Sequence, residues 1–312
     1  MSNTKGYKAF KKGMICAPDE EHVKQYAENT TYEEEGGSIC NEGMMHYCVN
    51  PFDVLDYYPL IDDKGEFSDF AEVEALETPV TDDNKKYATK KLHIGAKLSF
   101  KDFVKAGIDF LYEKTVKDMP KDNVDTGNSA KIGSSGDSAQ IGSSGNSAKI
   151  GSSGNSAKIG SSGNYAQIGS SGNYAQIGSS GNYAQIGSSG DYAQIGSSGN
   201  SAKIGSSGYS AKIGSSGNYA QIGSSGNYAQ IGSSGNYAKI TIDGTDSVAA
   251  AVGIGSVIKA KIGNWITLAE WVWSEEKERY IPVCVKSALV DGETLKPDVC
   301  YKLENGEFVE VQ

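Results

Sequence analysis

Ala and Ile recur two residues apart, every nine residues, through the middle of the chain. In Tyr165-Ala166-Gln167-Ile168 this spacing puts Ala and Ile on one face of an extended segment and Tyr and Gln on the other. The next residues, Gly169-Ser170-Ser171-Gly172-Asn173, are turn chemistry: glycines for positive φ, Ser and Asn for local hydrogen bonds. From Gly127 to Gly235 the unit repeats thirteen times as Gly-[Asn/Asp]-[Ser/Tyr]-Ala-[Lys/Gln]-Ile-Gly-Ser-Ser, with Tyr209 the one exception at the Asn/Asp position and the last unit ending Thr241-Ile242-Asp243. A strand of four residues and a turn of five, repeated without a break, predicts stacked rungs. Ala and Ile form inward columns, and Ser/Tyr and Lys/Gln point outward. Two units would close a flattened 18-residue rung and three a triangular 27-residue rung. The thin Ala–Ile core favours two, hence six or seven rungs, ~30 Å long at ~4.8 Å per rung. A tripled or intertwined assembly stays open.

The flanks read differently. Asn50-Pro51-Phe52-Asp53 is a helix start, with Asn at the N-cap and Pro at N1. Phe70–Leu76 and Leu92–Leu98 alternate as half-buried strands. Ser99 then caps a helix, with Phe100, Phe103, Val104, Gly107 and Leu111 at helical spacing. Met119-Pro120 and the polar stretch after it read as a link into the repeat. Beyond Ile240 the repeat decays, although Gly244 and Gly253 keep its spacing. Trp265–Leu268, Trp271–Trp273 and Ile281–Val285 read as strands about a charged turn. Asn305-Gly306 fits a tight hairpin between Cys300–Leu303 and Phe308–Val311. The predicted fold class is therefore mainly β. A central β-solenoid of nonapeptide repeats (127–258, its last units degenerate) lies between an α+β N-terminal domain (1–120) and a small antiparallel β C-terminal cap (259–312).

Charge adds to this picture because it is uneven. The formal net charge of −10 divides into −9 over residues 1–126, +4 over 127–240 and −5 over 241–312. A basic array argues against mimicry of DNA, and its lysines without arginine leave nucleic-acid binding a secondary reading. The five cysteines are not spaced as a small disulfide scaffold. No apolar run approaches the ~18 residues of a membrane span, and the N-terminus lacks the apolar core of a signal peptide. The expectation is a cytoplasmic protein without membrane contact.

The outward positions carry a second pattern. Ser accompanies Lys at Lys149, Lys158, Lys203 and Lys212, and Tyr accompanies Gln at Tyr165/Gln167, Tyr174/Gln176, Tyr183/Gln185, Tyr192/Gln194, Tyr219/Gln221 and Tyr228/Gln230. Tyr237 is paired with Lys239. The surface thus alternates between Ser/Lys and Tyr/Gln zones, and these exposed residues are the candidate binding surface. Duplication of a unit with a good strand residue explains the tyrosines equally well. Calcium-binding nonapeptide rolls need Gly-Gly-x-Gly-x-Asp, whereas only Asp137 and Asp191 supply carboxylates here. In the N-terminal domain Cys40, His46 and Cys48 are the metal candidates, in a spacing unlike a standard zinc knuckle. An ordinary buried Cys/His cluster is the simpler reading. Glu72 and Glu74 share a strand face, a poor arrangement for paired acid–base chemistry. No phosphate-binding or dinucleotide motif is present in the sequence. The expectation is a protein without enzyme activity or cofactor, with an enzyme in the N-terminal domain as the alternative.

The segments Lys5–Phe10, Ile39–Cys48, Asn50–Tyr58 and Phe70–Glu74, with Leu295–Asp298 and Tyr301–Leu303, resemble a family of phage- and prophage-encoded proteins of unknown function. That family joins such an N-terminal domain to a Gly/Ala/Ser-rich nonapeptide array and a small cap. The chain departs from it in the array, where Ile replaces smaller residues, and at Met44-Met45, where an aromatic is expected. The resemblance implies a phage or prophage context and no particular activity. The expected partner is a host or virion protein, host-defence antagonism being one version, with a homo-oligomer also open.

Overall fold

The computed structural model describes residues 4–17, 23–36, 43–115 and 123–311. Met119-Pro120 and Cys40 lie outside the described residues. The chain divides into two compact units, Met1–Asp62 with Glu66–Phe110, and Asp63–Gly65 with Leu111–Gln312.

In the first unit seven of the described strands form an antiparallel sheet, and Ile15–Cys16 pairs separately with Lys24–Gln25. The order in the sheet is Thr30–Glu33, Lys91–Leu98, Asp69–Ala75, Thr4–Phe10, Met45–Cys48, Lys86–Thr89 and Val80–Thr81. The alternation read from 70–76 and 92–98 holds within a residue or two, and buries Phe70, Val73, Leu92 and Ile94. Asn50 caps as expected, its Oδ1 accepting the Phe52 N–H at 3.2 Å. The helix it starts is a short 3₁₀ turn, Pro51–Asp56. Pro59 explains the stop, because a proline disfavours helical geometry in the residue before it. The Ser99 cap also forms, its Oγ accepting the Asp102 N–H at 3.1 Å, and the helix runs Phe100–Thr115. Phe103 of that helix stacks on Phe70 with ring centroids 3.7 Å apart. Gly107 is required by packing, since a Cβ there would lie 2.4 Å from the Phe52 ring.

The second unit is the β-solenoid, and two nonads do make one rung. Through the thirteen units every strand pairs in parallel and in register with the strand eighteen residues on, so Ile150 faces Ile168, and Gln167 faces Gln185. Successive nonads therefore feed alternate sheets. Sheet I runs Lys131–Ser134, Lys149–Ser152, Gln167–Ser170, Gln185–Ser188, Lys203–Ser206, Gln221–Ser224, Lys239–Ile242 and Val257–Ala260. Sheet II runs Asn123–Asp125, Gln140–Ser143, Lys158–Ser161, Gln176–Ser179, Gln194–Ser197, Lys212–Ser215, Gln230–Ser233, Val248–Ala251 and Trp265–Ser274. The stack is longer than expected, about eight turns over 131–268, because the degenerate units keep their places in the ladder. The Ala and Ile columns of both sheets form one continuous buried core.

At the C-terminal end each sheet reverses direction. Arg279–Leu289 pairs antiparallel with Trp265–Ser274, and Cys300–Glu304 pairs antiparallel with Val257–Ala260. The predicted hairpin follows, Cys300–Glu304 with Glu307–Glu310, and Asn305 and Gly306 both take positive φ. Leu268, Val290, Leu295, Tyr301 and Leu303 close the end of the core.

Three expectations about the unit are corrected. The strand is Lys/Gln-Ile-Gly-Ser, two residues later than Ser/Tyr-Ala-Lys/Gln-Ile. The Ser/Tyr position belongs to the corner instead, with φ between 53° and 60° in all thirteen units, and the array glycines do not take positive φ. That corner is held from two sides. The N–H of the left-handed residue donates to the carbonyl of the corner Asn one rung on, as from Tyr165 to Asn182 at 2.9 Å. The Asn side chains form their own ladder, each Oδ1 accepting the N–H of its counterpart in the next rung, as between Asn182 and Asn200 at 2.8 Å.

The third correction concerns the serines. The first Ser of each Gly-Ser-Ser points inward with Ile, not toward water, because it lies two residues from Ile on the same strand face. Ser170 and Ser188 are wholly buried, and their hydroxyls have no hydrogen-bond partner. In the degenerate units the same columns become Ile242, Ala260, Ala251 and Leu268. A buried unpaired hydroxyl costs free energy that a methyl group does not. Ser170→Ala and Ser188→Ala are each expected to stabilise the array by about 1 kcal/mol, read as a rise in the midpoint of chemical denaturation.

Candidate functional site

The two sheets have the same repeat sequence but different exposure. In sheet I the outward glycines Gly151, Gly169, Gly187, Gly205 and Gly223 are buried. Gln167 and Gln185 are 6% exposed, with Gln167 Nε2 donating to Gln185 Oε1 at 3.4 Å. Lys149 and Lys203 are half-buried. Gln167 and Gln185 are thus corrected as members of an exposed surface. Nothing in a nonad records which sheet it will join, so their burial was invisible in the pattern.

Sheet II presents the surface that was expected. Lys158, Gln176, Gln194 and Lys212 are exposed, in one column. Beside it runs a column of glycines, and beyond that the second serines of the units, such as Ser162, Ser180 and Ser198, also exposed. The result is a long-side-chain ridge next to a trench whose floor is bare backbone. A Cβ added at Gly160, Gly178, Gly196, Gly214 or Gly232 would meet nothing within 4 Å. These glycines serve no internal packing, yet each weakens its strand by about 0.5–1 kcal/mol relative to Ala.

The tyrosines sit at the corners that lead into each sheet. On the sheet I side Tyr165 stacks on Tyr183 at 5.0 Å and Tyr219 on Tyr237 at 5.1 Å, and Ser201 leaves a gap between the two pairs. On the sheet II side Tyr174 stacks on Tyr192 at 5.1 Å. There Ser210 should leave the same gap before Tyr228, but Tyr209 fills it. Its ring centroid is 5.8 Å from Tyr192 and 5.1 Å from Tyr228. Tyr174, Tyr192, Tyr209 and Tyr228 thus make an unbroken exposed column, and they are 42–56% accessible.

This repair has a structural cost. Tyr209 replaces a corner Asn, and a phenol has no oxygen where the Asn Oδ1 would accept the Asn227 N–H. Asp191 still accepts the Tyr209 N–H at 2.8 Å, so the ladder is interrupted on one side only. The lost bond is worth about 1 kcal/mol. The sequence marked Tyr209 as irregular; only the eighteen-residue register showed what it completes.

The first unit's candidates lie in its interior. His46 and Cys48 are on the strand Met45–Cys48, with His46 half-buried and Cys48 buried. Burial, and secondarily the Asp53 carboxylate, pushes the Cys48 thiol up to about 12. Lys8 is buried nearby, and its ammonium donates to the His46 carbonyl at 2.8 Å. Burial lowers its pKa against the opposing pull of the Cys16 and Cys48 thiols. Cys16 Sγ lies 3.1 Å from the Tyr58 hydroxyl. Among the described residues no group of three or more His, Cys, Asp or Glu could hold a metal ion. Nor is any helix among them long and apolar enough to cross a membrane.

The comparisons with known proteins bear on this first unit. Residues 4–106 match a domain of unknown function, DUF7666. No curated protein and no solved structure matches the chain. The DUF7666 match ends before the solenoid begins, so the ridge, trench and tyrosine column all lie outside it.

Proposed function

We propose that the protein is a non-enzymatic accessory protein of a phage or prophage, whose rigid solenoid holds the sheet II face and its tyrosine border against a macromolecule. The observation that carries this reading is Tyr209. The array's one departure at the Asn/Asp position gives up a ladder hydrogen bond and restores an aromatic column on the border of the exposed sheet. On the sheet I side the equivalent gap at Ser201 stays open. A purely structural repeat has no reason to distinguish the two.

A protein surface suits this column better than a nucleic acid. The rings of Tyr174 and Tyr192 lie 7° from parallel and occupy each other's faces. They offer edges and hydroxyls, whereas bases in single strands are held by stacking on free aromatic faces. The resemblance to phage-encoded chains supplies the context, with antagonism of a host defence as one version.

Tyr209→Asn tests the reading, because it restores the Asn ladder while reopening the gap. The expected result is a chain slightly more stable than wild type, by about 1 kcal/mol, that captures less partner from infected-cell lysate. Equal capture by the two chains would remove Tyr209 from the argument and the reading with it.

A further inference from the structure

The side chains of sheet II stand at the rung spacing, ~4.8 Å. A rigid row at that spacing engages along its whole length only with a partner of the same period. Peptide groups along one edge of an extended strand do not have it, since they repeat every two residues, ~6.7 Å. A second β-solenoid does, and the one this chain supplies is itself.

The relief of the face points the same way. A two-fold interface needs a surface complementary to itself. Here the ridge of Gln176, Gln194 and Lys212 runs beside a trench floored by Gly178, Gly196 and Gly214, equally long and equally spaced. A two-fold axis parallel to the solenoid, between ridge and trench, places each copy's ridge in the other's trench with rungs level. The Gln amides and Lys ammonium groups then meet serine hydroxyls and backbone carbonyls, and no carboxylate is buried. No contact within the chain calls for glycine on this floor, because a Cβ there meets nothing. The matching glycine column of sheet I, identical in sequence, is buried, so this relief is one that close packing covers.

We propose that two copies of the chain associate side by side and parallel through the sheet II face, ridge into trench. The proposal rests on the reading of that face as an interaction surface and names its partner. The face measures ~13 Å from Gln176 to Ser180 and ~24 Å along the axis from Gly142 to Gly232. That is roughly 600 Å² over two copies, below the ~1,200 Å² of stable interfaces. The dimer is therefore weak and concentration-dependent.

The test is sedimentation velocity across a concentration series on the full chain and on a variant with Gly178→Thr, Gly196→Thr and Gly214→Thr, each followed by a thermal melt. Threonine suits a strand and has room here, so the variant is expected to melt no lower than wild type while its trench is filled. Wild type is expected to shift from monomer to dimer as concentration rises, and the variant to stay monomeric. Wild type that is monomeric throughout, or a variant that dimerises equally, overturns the proposal. Capture from infected-cell lysate separates the two levels. A monomeric wild type that captures a partner, which the variant loses, overturns self-association and leaves the face as an interaction surface. Monomeric chains that capture alike overturn both.

Discussion

One methyl group at Gly181 is expected to disrupt the solenoid. The Cβ of Gly181→Ala would lie 2.0 Å from the carbonyl oxygen of Gly163 and 2.4 Å from its carbon, in the rung below. Both partners are backbone in a stack fixed by hydrogen bonds above and below, so neither can turn aside. Relief requires two rungs to separate locally, which strains the Asn ladder and the Ile column together. A loss of at least ~3 kcal/mol is expected, in the range of severe single substitutions, read by chemical denaturation. The comparison, at the end of the preceding unit, is Gly178→Ala. There the Cβ meets nothing within 4 Å, and the expected change is a gain of about 0.5–1 kcal/mol. Two glycines three residues apart thus answer the same substitution with opposite signs. Equal effects would mean that rung spacing is not set by the corner contact.

Removal of residues 263–312 should have the second large effect, seen in solution behaviour. The cap pairs the outer edges of Val248–Ala251 and Val257–Ala260 and covers the open end of the core. Its own outer strands are poor templates for further pairing: Arg279–Leu289 contains Pro282, and Glu307–Glu310 is short and acidic at both ends. Without the cap, two in-register strand edges and an apolar column face water, an invitation to end-to-end stacking. The truncated chain is expected to form large assemblies by light scattering under conditions where the full chain does not. A truncated chain that remains dispersed would show that the parallel edges alone do not recruit neighbours.

Much of the solenoid could be read from the residues, for a physical reason. A side-chain period of two inside a repeat of nine leaves Ala and Ile as the core, and their small combined volume fits two nonads to a rung better than three. The strand phase was harder. Tyr is a good strand residue, yet here it occupies a left-handed corner that costs a non-glycine residue about 1–2 kcal/mol. Its hydrogen bond to the next rung, as from Tyr165 to Asn182, holds it there. That partner lies seventeen residues away, beyond local pattern. The inward Ser was hidden by its polarity, although Ala251 and Leu268 in the same column give it away once the register is known. In the first unit the caps at Asn50 and Ser99 were legible because each is a local contact. The burial of Cys48 agrees with the simpler reading of its cluster, but the burial of Lys8 beside it was not legible, because separated segments build that setting.

Because neighbouring nonads belong to opposite sheets, copy number has a parity. Recombination within so uniform an array gains or loses units readily, and the ladder closes over either change. Loss of a single unit sends every downstream residue to the other side of the molecule relative to those before it, so that without residues 199–207 Tyr209 no longer joins Tyr192. Loss of two shortens the stack and leaves each side as it was. Lineages under selection for the tyrosine border should therefore differ by even numbers of units within the stretch from Tyr174 to Tyr228.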